Sequence, residues 1–172
     1  MKLAINYLTN WYLQPIFLTF KFFDITIKDP IVYSWAGLDV YSNYDKTGSR
    51  GFEADVRFKN SWVNANLTYS HYMQGGKNKV SAYEVPANFD HQSLLGFARD
   101  KVTLYASFDV MENLSVTPSL IYTGEKYGWA PEYNESDEIV WSINNKFDPT
   151  LQFNLFVNYT NLFVEKLTLG AG

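Results

Sequence analysis

Two segments of the chain carry closely spaced tyrosine and tryptophan residues between more regular stretches. Aromatic rings on loops that a rigid scaffold holds in place can stack on a planar ligand. We therefore predict that these side chains bind a ligand. The alternative is that they lie at a boundary between apolar and aqueous surroundings and bind nothing. They are Tyr33, Trp35, Tyr41 and Tyr44 in segment 29–49, and Tyr127, Trp129 and Tyr133 in segment 124–138.

The other reactive residue types give little support for catalysis or for a metal site. The chain has two histidines, His71 and His91, and no cysteine. Since a lone histidine is more often structural, we predict no metal site and no cofactor, and keep each histidine, His91 first, only as a candidate ligand for a haem iron. Ser70-His71 has no identifiable third member of a catalytic triad, and no nucleophile, phosphate-loop or dinucleotide motif is present. We therefore predict that the protein is not an enzyme.

Length and composition limit the class of protein. A chain of 172 residues is expected to form one domain. Although 47% of the residues are apolar, polar residues interrupt every stretch long enough for a transmembrane helix. Lys and Arg are scattered and the net charge is −4, so we predict no nucleic-acid partner. Polar residues from Asn6 to Gln14 break the apolar N-terminus, so we expect no export signal within the chain.

Apolar and polar residues alternate with a period of two along most of the chain. From Leu151 to Tyr159 the odd positions are apolar or aromatic, whereas Gln152, Asn154 and Asn158 are polar. This period predicts β-strands with one apolar and one polar face. Eight such strands are predicted, at about residues 2–13, 16–28, 50–59, 62–72, 92–109, 113–123, 138–147 and 151–160.

The connections between these strands alternate in length. The short ones, such as Asn60-Ser61 and Met111-Glu112, carry residues that favour tight turns, and the long ones span about residues 29–49, 73–91 and 124–137. Short turns on one side and long loops on the other are typical of an antiparallel transmembrane β-barrel. Aromatic residues near both ends of the strands predict the two interfacial girdles of such a barrel. Phe52, Tyr69, Tyr122 and Tyr159 are predicted at the long-loop end, and Phe58, Phe108 and Phe147 at the short-turn end.

Several short motifs resemble the C-terminal barrel region of TonB-dependent outer-membrane receptors, across about residues 20–166. Their order and spacing carry the resemblance more than any single motif does. The motifs are Phe23-Asp24-Ile25-Thr26-Ile27-Lys28-Asp29-Pro30-Ile31-Val32, Asn43-Tyr44 with Gly51-Phe52-Glu53, Val85-Pro86-Ala87 with His91, Tyr122-Thr123-Gly124, and Asn158-Tyr159-Thr160-Asn161-Leu162-Phe163. Val164 stands where the family usually has Asp.

The resemblance implies a single partial barrel domain over residues 1–172, about the last third of a receptor barrel without its closing strand. It also implies location in the bacterial outer membrane, and TonB-dependent uptake of a scarce chelate such as a ferric siderophore, haem or cobalamin. The implied partners are outer-membrane lipid and the small chelate. An energy-coupling protein would act only through a plug region that we expect to lie outside this chain.

Two other architectures fit the same period. A soluble β-sandwich that binds carbohydrate would turn the apolar faces inward and use the long loops as its binding edge. A small, complete eight-stranded outer-membrane barrel would pair the first strand with the last. The expected direction of the chain argues against the small barrel, because the first connection, at Gln14-Pro15, is short. We therefore expect an open sheet whose first strand and strand 151–160 are unpaired at its edges.

Overall fold

The chain is almost wholly β in the computed structural model, which describes residues 8–13, 16–35, 39–85, 92–161 and 167–172. A short 3₁₀ helix at Ser81–Tyr83 is the one helical element of these residues, and none of their helices is long and apolar enough to cross a membrane. Their strands are β1 (Leu8–Leu13), β2 (Ile16–Lys28), β3 (Ile31–Trp35), β4 (Asp39–Asn43), β5 (Lys46–Lys59), β6 (Val63–Met73), β7 (Asp100–Met111), β8 (Leu114–Thr123), β9 (Lys126–Tyr133), β10 (Ile139–Phe147), β11 (Thr150–Thr160) and β12 (Thr168–Ala171).

Eight of the strands form one antiparallel sheet in the order β1-β2-β5-β6-β7-β8-β11-β12. The other four form two separate hairpins, β3–β4 and β9–β10, which extend from long connections on the same side of the sheet. Short turns close the opposite side. In one of them the Asn60 side chain accepts hydrogen bonds from the backbone N–H groups of Trp62 and Val63, at 2.9 and 2.7 Å. The predicted asymmetry of short turns and long loops is therefore confirmed.

The strand register sorts the side chains of the sheet into two faces. Cross-strand partners share a face, and the face alternates at every residue. The apolar face includes Leu18, Phe20, Phe22, Phe52, Val56, Leu67, Val102, Leu104, Leu120, Leu151, Phe153 and Leu155. The polar face includes Lys21, Glu53, Asp55, Asn66, Thr68, Ser70, Thr103, Thr117, Gln152 and Asn154.

The apolar face has no layer of protein packed against it in the described residues. Leu151 and Phe153 are each 64% exposed, and Phe20 is 39% exposed. Most of the deeply buried apolar side chains, among them Val80, Val85 and Tyr127, lie in the long connections and not in the sheet. An apolar surface of this extent is unfavourable in water, whereas the hydrocarbon of a bilayer would cover it.

One predicted strand of the sheet is not part of it. Segment 138–147 alternates as expected, but it forms β10 and pairs with β9 in a hairpin above the sheet. Strand β11 instead pairs directly with β8, and β12 is the eighth strand of the sheet. Strand β11 therefore runs from the long-connection side to the short-turn side, opposite to the predicted direction. A period of two identifies a strand, but it does not identify the partner.

The predicted aromatic girdles are correct for five residues and wrong for two. Phe52, Tyr69 and Tyr122 lie toward the long-connection side of the apolar face, and Phe58 and Phe108 lie toward the short-turn side. The change in the direction of β11 moves Tyr159 to the short-turn side, opposite Leu114. Phe147 belongs to the β9–β10 hairpin and so lies outside the sheet. The segment before β7 also differs, since residues 92–99 form a connection and not the start of a strand.

The sheet is open within the described residues. There, β1 pairs only with β2, and β12 pairs only with β11. The small closed barrel would need hydrogen bonds between the first strand and the last, and these described strands form none. The edge strands differ from the prediction only in that β12, not β11, is at the far edge.

Because neighbouring residues of a strand lie on opposite faces, an added charge should destabilise the protein at one position and be tolerated at the next. Leu155 lies on the apolar face near the middle of β11, and Asn154 lies beside it on the polar face. In the protein folded into lipid vesicles, Leu155→Arg should reduce the free energy of unfolding by about 2–4 kcal/mol, because the charge would enter the hydrocarbon. Asn154→Arg is the control, since it removes only a 3.4 Å hydrogen bond to Ser119. Equal losses in the two variants would contradict the assignment of faces.

Candidate functional site

The described parts of the connection between β6 and β7, residues 74–85 and 92–99, fold back over the long-connection end of the sheet. Backbone hydrogen bonds join its two described parts to each other, and they join the connection to β5 and to β9. Lys79 N–H donates to the carbonyl of Lys46 at 2.9 Å, and Gly96 N–H donates to the carbonyl of Tyr127 at 2.7 Å. Leu95 N–H donates to the carbonyl of Tyr83 at 3.1 Å. These bonds make the described parts of the connection a fixed part of the rim.

Lys77 anchors the start of this connection to β2. Its ammonium forms an ion pair with Asp24 and donates hydrogen bonds to the Thr26 hydroxyl at 3.1 Å and to the Ile25 carbonyl at 3.3 Å. The Lys77 side chain is only 13% exposed. An ammonium has three donors, and these three acceptors satisfy all of them.

The Asn78 side chain fixes the next turn of the connection through three hydrogen bonds. Its side-chain oxygen accepts from the Thr47 hydroxyl at 2.9 Å and from the Val80 N–H at 3.2 Å, and its amide donates to the Val80 carbonyl at 3.0 Å. Asn78 and Thr47 are both buried, where water cannot reach them. These hydrogen bonds therefore satisfy polar groups that would otherwise be unpaired. The turn places Val80, which is fully buried, under the connection.

A cavity of about 300 Å³ lies between the connection and the polar face of the sheet. The sheet contributes aromatic and acidic side chains to its wall, and the connection contributes apolar ones. The Tyr72 and Phe97 rings meet edge to face with their centroids 6.1 Å apart. The residues around the cavity are Phe23, Ser49, Glu53, Ser70, His71, Tyr72, Leu94 and Phe97. A mostly apolar hollow with a few polar groups is the usual form of a small-molecule site.

Gly51 makes room for the Phe23 wall of this cavity. A Cβ atom at Gly51 would lie 2.7 Å from Cζ of Phe23 and would also clash with the backbone of β6. The absence of a side chain therefore lets the Phe23 ring cover the strand. The same glycine belongs to the Gly51-Phe52-Glu53 motif on which the family resemblance rests.

Below the cavity the polar face continues as paired charges and hydrogen bonds. Lys21 and Glu53, which are cross-strand partners, form a 3.3 Å ion pair. Asp55 accepts from the Arg57 Nε at 2.9 Å and from the Thr68 hydroxyl at 2.9 Å. Such side chains are stable only beside water or other polar protein, so this face suits the inside of a barrel.

A second polar cluster lies at the upper edge of the apolar face. His71 and Asp100 are cross-strand partners, with His71 Nδ1 2.7 Å from Asp100 Oδ1. The Tyr69 hydroxyl donates to the same carboxylate oxygen at 2.6 Å, and the Phe52 ring packs against both Tyr69 and His71. These contacts give His71 a structural role between β6 and β7. Within the described ranges, no three histidine or acidic side chains come together as metal ligands, and His91 lies outside those ranges.

The first predicted aromatic cluster lies on and beside the β3–β4 hairpin. Tyr33 and Tyr41 are cross-strand partners whose ring centroids are 5.3 Å apart, and they are 50% and 74% exposed. The Tyr44 hydroxyl lies 3.3 Å from the Ser81 hydroxyl and so joins the hairpin to the β6–β7 connection. Trp35 is the last residue of β3, opposite Asp39.

The second predicted cluster divides into a buried and an exposed part. Tyr127 is 4% exposed beneath the β6–β7 connection, whereas Tyr133 at the far end of β9 is 64% exposed. Trp129 lies between them along β9. At the base of the hairpin, Lys146 forms a 2.5 Å ion pair with Glu125, which raises the pKa of Lys146. Tyr127 therefore supports the rim, whereas the Tyr133 side chain is exposed.

Of the residues around the cavity, only His71 was a candidate site residue in the sequence, and then as a ligand for a haem iron. Phe23, Tyr72 and Phe97 are far apart in the chain, and only strand register and the fold of the connection bring them together. Gly51 was a usable signal, because glycine within a strand marks a close approach of another group. It does not indicate which group approaches.

The fold and the two faces define the class of protein. An open antiparallel sheet with an uncovered apolar face, a charged opposite face and long connections on one side is a wall of a transmembrane β-barrel. The chain belongs to the TonB-dependent receptor family. The family model described as "TonB dependent receptor-like, beta-barrel" matches residues 3–172. The protein is therefore located in the bacterial outer membrane.

Solved structures of similar fold come from several bacteria. The pyoverdine outer-membrane receptor FpvA of Pseudomonas aeruginosa, bound to pyoverdine, matches 90% of this chain and 23% of its own, with a TM-score of 0.57 and 18% identity. The siderophore receptor PirA of Acinetobacter baumannii matches 88% of this chain and 24% of its own, with a TM-score of 0.62 and 11% identity. The FrpB iron transporter of Neisseria meningitidis matches 88% of this chain and 22% of its own, with a TM-score of 0.56 and 15% identity.

These likenesses concern the fold. The chain spans about a quarter of the length of these solved receptors. A comparison with curated protein sequences gave no match.

The Lys77 anchor predicts the stability of the β6–β7 connection. Lys77→Gln removes the ion pair with Asp24 and should raise hydrogen exchange in residues 74–85 at least about tenfold, because a hydrogen bond to a charged group is worth about 1.5–3 kcal/mol. Lys79→Gln is the matched control, since the Lys79 side chain is exposed and only its backbone is bonded. Unchanged exchange in Lys77→Gln, measured by mass spectrometry, would contradict the anchoring role.

Proposed function

We propose that this chain is part of the barrel wall of a receptor that takes up a scarce chelate, such as a ferric siderophore, haem or cobalamin, across the outer membrane. The observation that carries the proposal is the cavity between the polar face and the anchored β6–β7 connection. It lies on the long-connection side, where an incoming ligand would first meet the barrel. Family membership supports the transport class, and no catalytic site is part of the proposal.

The names of the solved relatives support an iron chelate as the ligand class. FpvA is described as bound to pyoverdine, PirA as a siderophore receptor and FrpB as an iron transporter. In this chain the aromatic residues Phe23, Tyr72 and Phe97 around the cavity offer surfaces for a planar or apolar part of such a ligand. Ser49, Ser70 and Glu53 offer hydrogen-bonding groups beside them.

The exposed aromatic residues on the rim are the proposed point of capture. Tyr33, Tyr41 and Tyr133 stand clear of the sheet on the two hairpins. The buried Tyr127 and the hydrogen-bonded Tyr44 instead hold the rim together. We keep Trp35 and Trp129 in the proposed ligand surface because each lies on a strand of these hairpins.

Transport requires more protein than this chain. An open sheet leaves backbone N–H and C=O groups unpaired at its edges, which hydrocarbon cannot satisfy. We therefore propose that further strands complete the barrel and that a plug closes its lumen. The polar face, with its Lys21–Glu53 and Asp55–Arg57 pairs, would face that plug. Coupling to an energy-transducing protein would act through the plug.

The proposal predicts selective loss of ligand capture from the rim. The combined variant Tyr33→Ala, Tyr41→Ala and Tyr133→Ala should bind its chelate at least about tenfold more weakly, because each aromatic contact is worth about 0.5–1.5 kcal/mol. The assay is uptake of labelled ferric pyoverdine, ferric enterobactin, haem and cobalamin by cells producing the protein from its native gene. Barrel assembly should be unchanged, as measured by heat-modifiable gel mobility.

Two controls sharpen this assay. Trp62→Ala removes an aromatic side chain that is 56% exposed on the short-turn side, and it should leave uptake unchanged. Phe97→Ala removes one wall of the cavity and should weaken uptake of the same chelate. Full uptake in both the rim variant and Phe97→Ala would reject the proposed site, and uptake of none of the four chelates by the unmodified protein would reject the ligand class.

A further inference from the structure

We infer that the uncharged half of the polar face, on β6, β7, β8 and β11, is the surface along which the ligand moves from the cavity toward the short-turn side. The charged half, on β2 and β5, is then the part of the wall that holds the plug. Because it concerns a chelate that crosses the lumen, this assignment rests on the proposed function. It goes beyond that function by giving the two tasks to different strands of the sheet.

The strand register arranges the polar face in rows that run across the sheet. Cross-strand partners place Arg57, Asn66 and Tyr105 side by side in one row, which continues through Ser119 to Asn154. The rows above and below it follow from the alternation of faces along each strand. From β6 to β11 the upper row holds Thr68, Thr103, Ile121 and Gln152, the middle row Asn66, Tyr105, Ser119 and Asn154, and the lower row Asn64, Ser107, Thr117 and Phe156.

The charges of the polar face are concentrated on β2 and β5. The Lys21–Glu53 and Asp55–Arg57 ion pairs lie there. Strands β6, β8 and β11 contain no Asp, Glu, Lys or Arg, and β7 contains none at residues 102–108. The boundary between a charged and an uncharged wall therefore falls between β5 and β6, which are neighbours in the sheet.

The uncharged half begins at the cavity. Ser70 and Tyr72 line the cavity and lie on the polar face of β6. Thr68 and Asn66 continue this face toward the short-turn side, in steps of about 7 Å for every two residues. Beside Asn66, the 46% exposed ring of Tyr105 adds an aromatic surface to the amide and hydroxyl groups. A ligand that leaves the cavity along β6 therefore meets hydrogen-bonding groups without fixed charges.

Uncharged groups suit a surface that a ligand must leave again. Hydrogen bonds to a charged group are roughly twice as strong as those between neutral groups, so charges along the route would hold the ligand back. Passage requires several weak sites in place of one strong site. The side chains of this wall form such neutral bonds with each other, from Asn154 to Ser119 at 3.4 Å and from Thr117 to Ser107 at 3.1 Å. The ion pairs of β2 and β5 instead suit a lasting contact with complementary charges on the plug.

The experiment measures binding and uptake separately in cells that produce the protein from its native gene. The probe is the labelled chelate, among ferric pyoverdine, ferric enterobactin, haem and cobalamin, that the unmodified protein takes up. Ser119→Trp and Asn154→Trp, on two different strands, each place an indole ring in the middle row. Each should slow uptake at least about tenfold, because the ring obstructs the weak sites of the route, and should change binding less than about twofold.

Thr19→Trp is the matched control on the charged half. It adds the same ring to the polar face of β2, opposite Asp55 and one row above Ser119. Because the ligand does not pass this part of the wall, binding and uptake should both equal those of the unmodified protein. Heat-modifiable gel mobility establishes which variants are folded, and either of the two variants in the middle row is sufficient for the test.

The outcomes separate this inference from the proposed function. Slow uptake with unchanged binding in a folded variant of Ser119 or Asn154, together with normal uptake in Thr19→Trp, supports the route. Normal uptake in the folded middle-row variants, or equally slow uptake in Thr19→Trp, would overturn it. Weaker binding in the middle-row variants would also overturn it, because these residues would then belong to the capture site. If the unmodified protein takes up none of the four chelates, the proposed function fails and the route fails with it.

Discussion

The pairing of backbone N–H and C=O groups between neighbouring strands is the constraint on which the rest of this structure depends. Hydrocarbon offers no partner for these groups, so a chain can cross it in extended form only as a strand paired on both sides. From β2 to β11 each strand of the sheet has two neighbours in the described residues. The ladders from β2 to β11 extend over most of the strand length, whereas the ladder between β11 and β12 covers only residues 157–160 of β11. Because the ladders fix register, they also fix which side chains meet lipid and which meet the lumen.

The function proposed for the protein follows from the difference between the apolar and the polar face of the sheet. The apolar face ends abruptly at the Tyr69–His71–Asp100 cluster and at the Asp24–Arg50 pair, so hydrocarbon contact stops at these charges. Beyond this level the chain builds a rim from two hairpins and the β6–β7 connection. Lys77 and Asn78 tie the connection to β2 and β5, Gly96 ties it to β9, and Ser81 joins it to Tyr44 beside the β3–β4 hairpin.

The sequence predicted the fold class, the two faces and the long-connection side, because these depend on the local period and on turn residues. The prediction failed where the structure depends on which distant segment a strand or a side chain pairs with. Segment 138–147 alternates like a membrane strand, yet it pairs with β9. Leu94 and Phe97 were assigned to a strand, although they fold over the polar face beside Tyr72. Of the predicted ligand residues, the sequence could not distinguish buried Tyr127 from exposed Tyr133, since burial follows from a contact with a distant connection.

Accessibility of single cysteines along β11 tests the central claim, which is that this sheet is a membrane wall with opposite faces. The chain has no native cysteine, so each substitution gives one labelling site. In the protein embedded in vesicles, a water-soluble maleimide should label cysteine at Gln152 and Asn154 but not at Phe153 and Leu155. A lipid-soluble quencher should show the reverse pattern for a dye attached at the same four positions. Equal labelling of Leu155 and Asn154 would contradict the account.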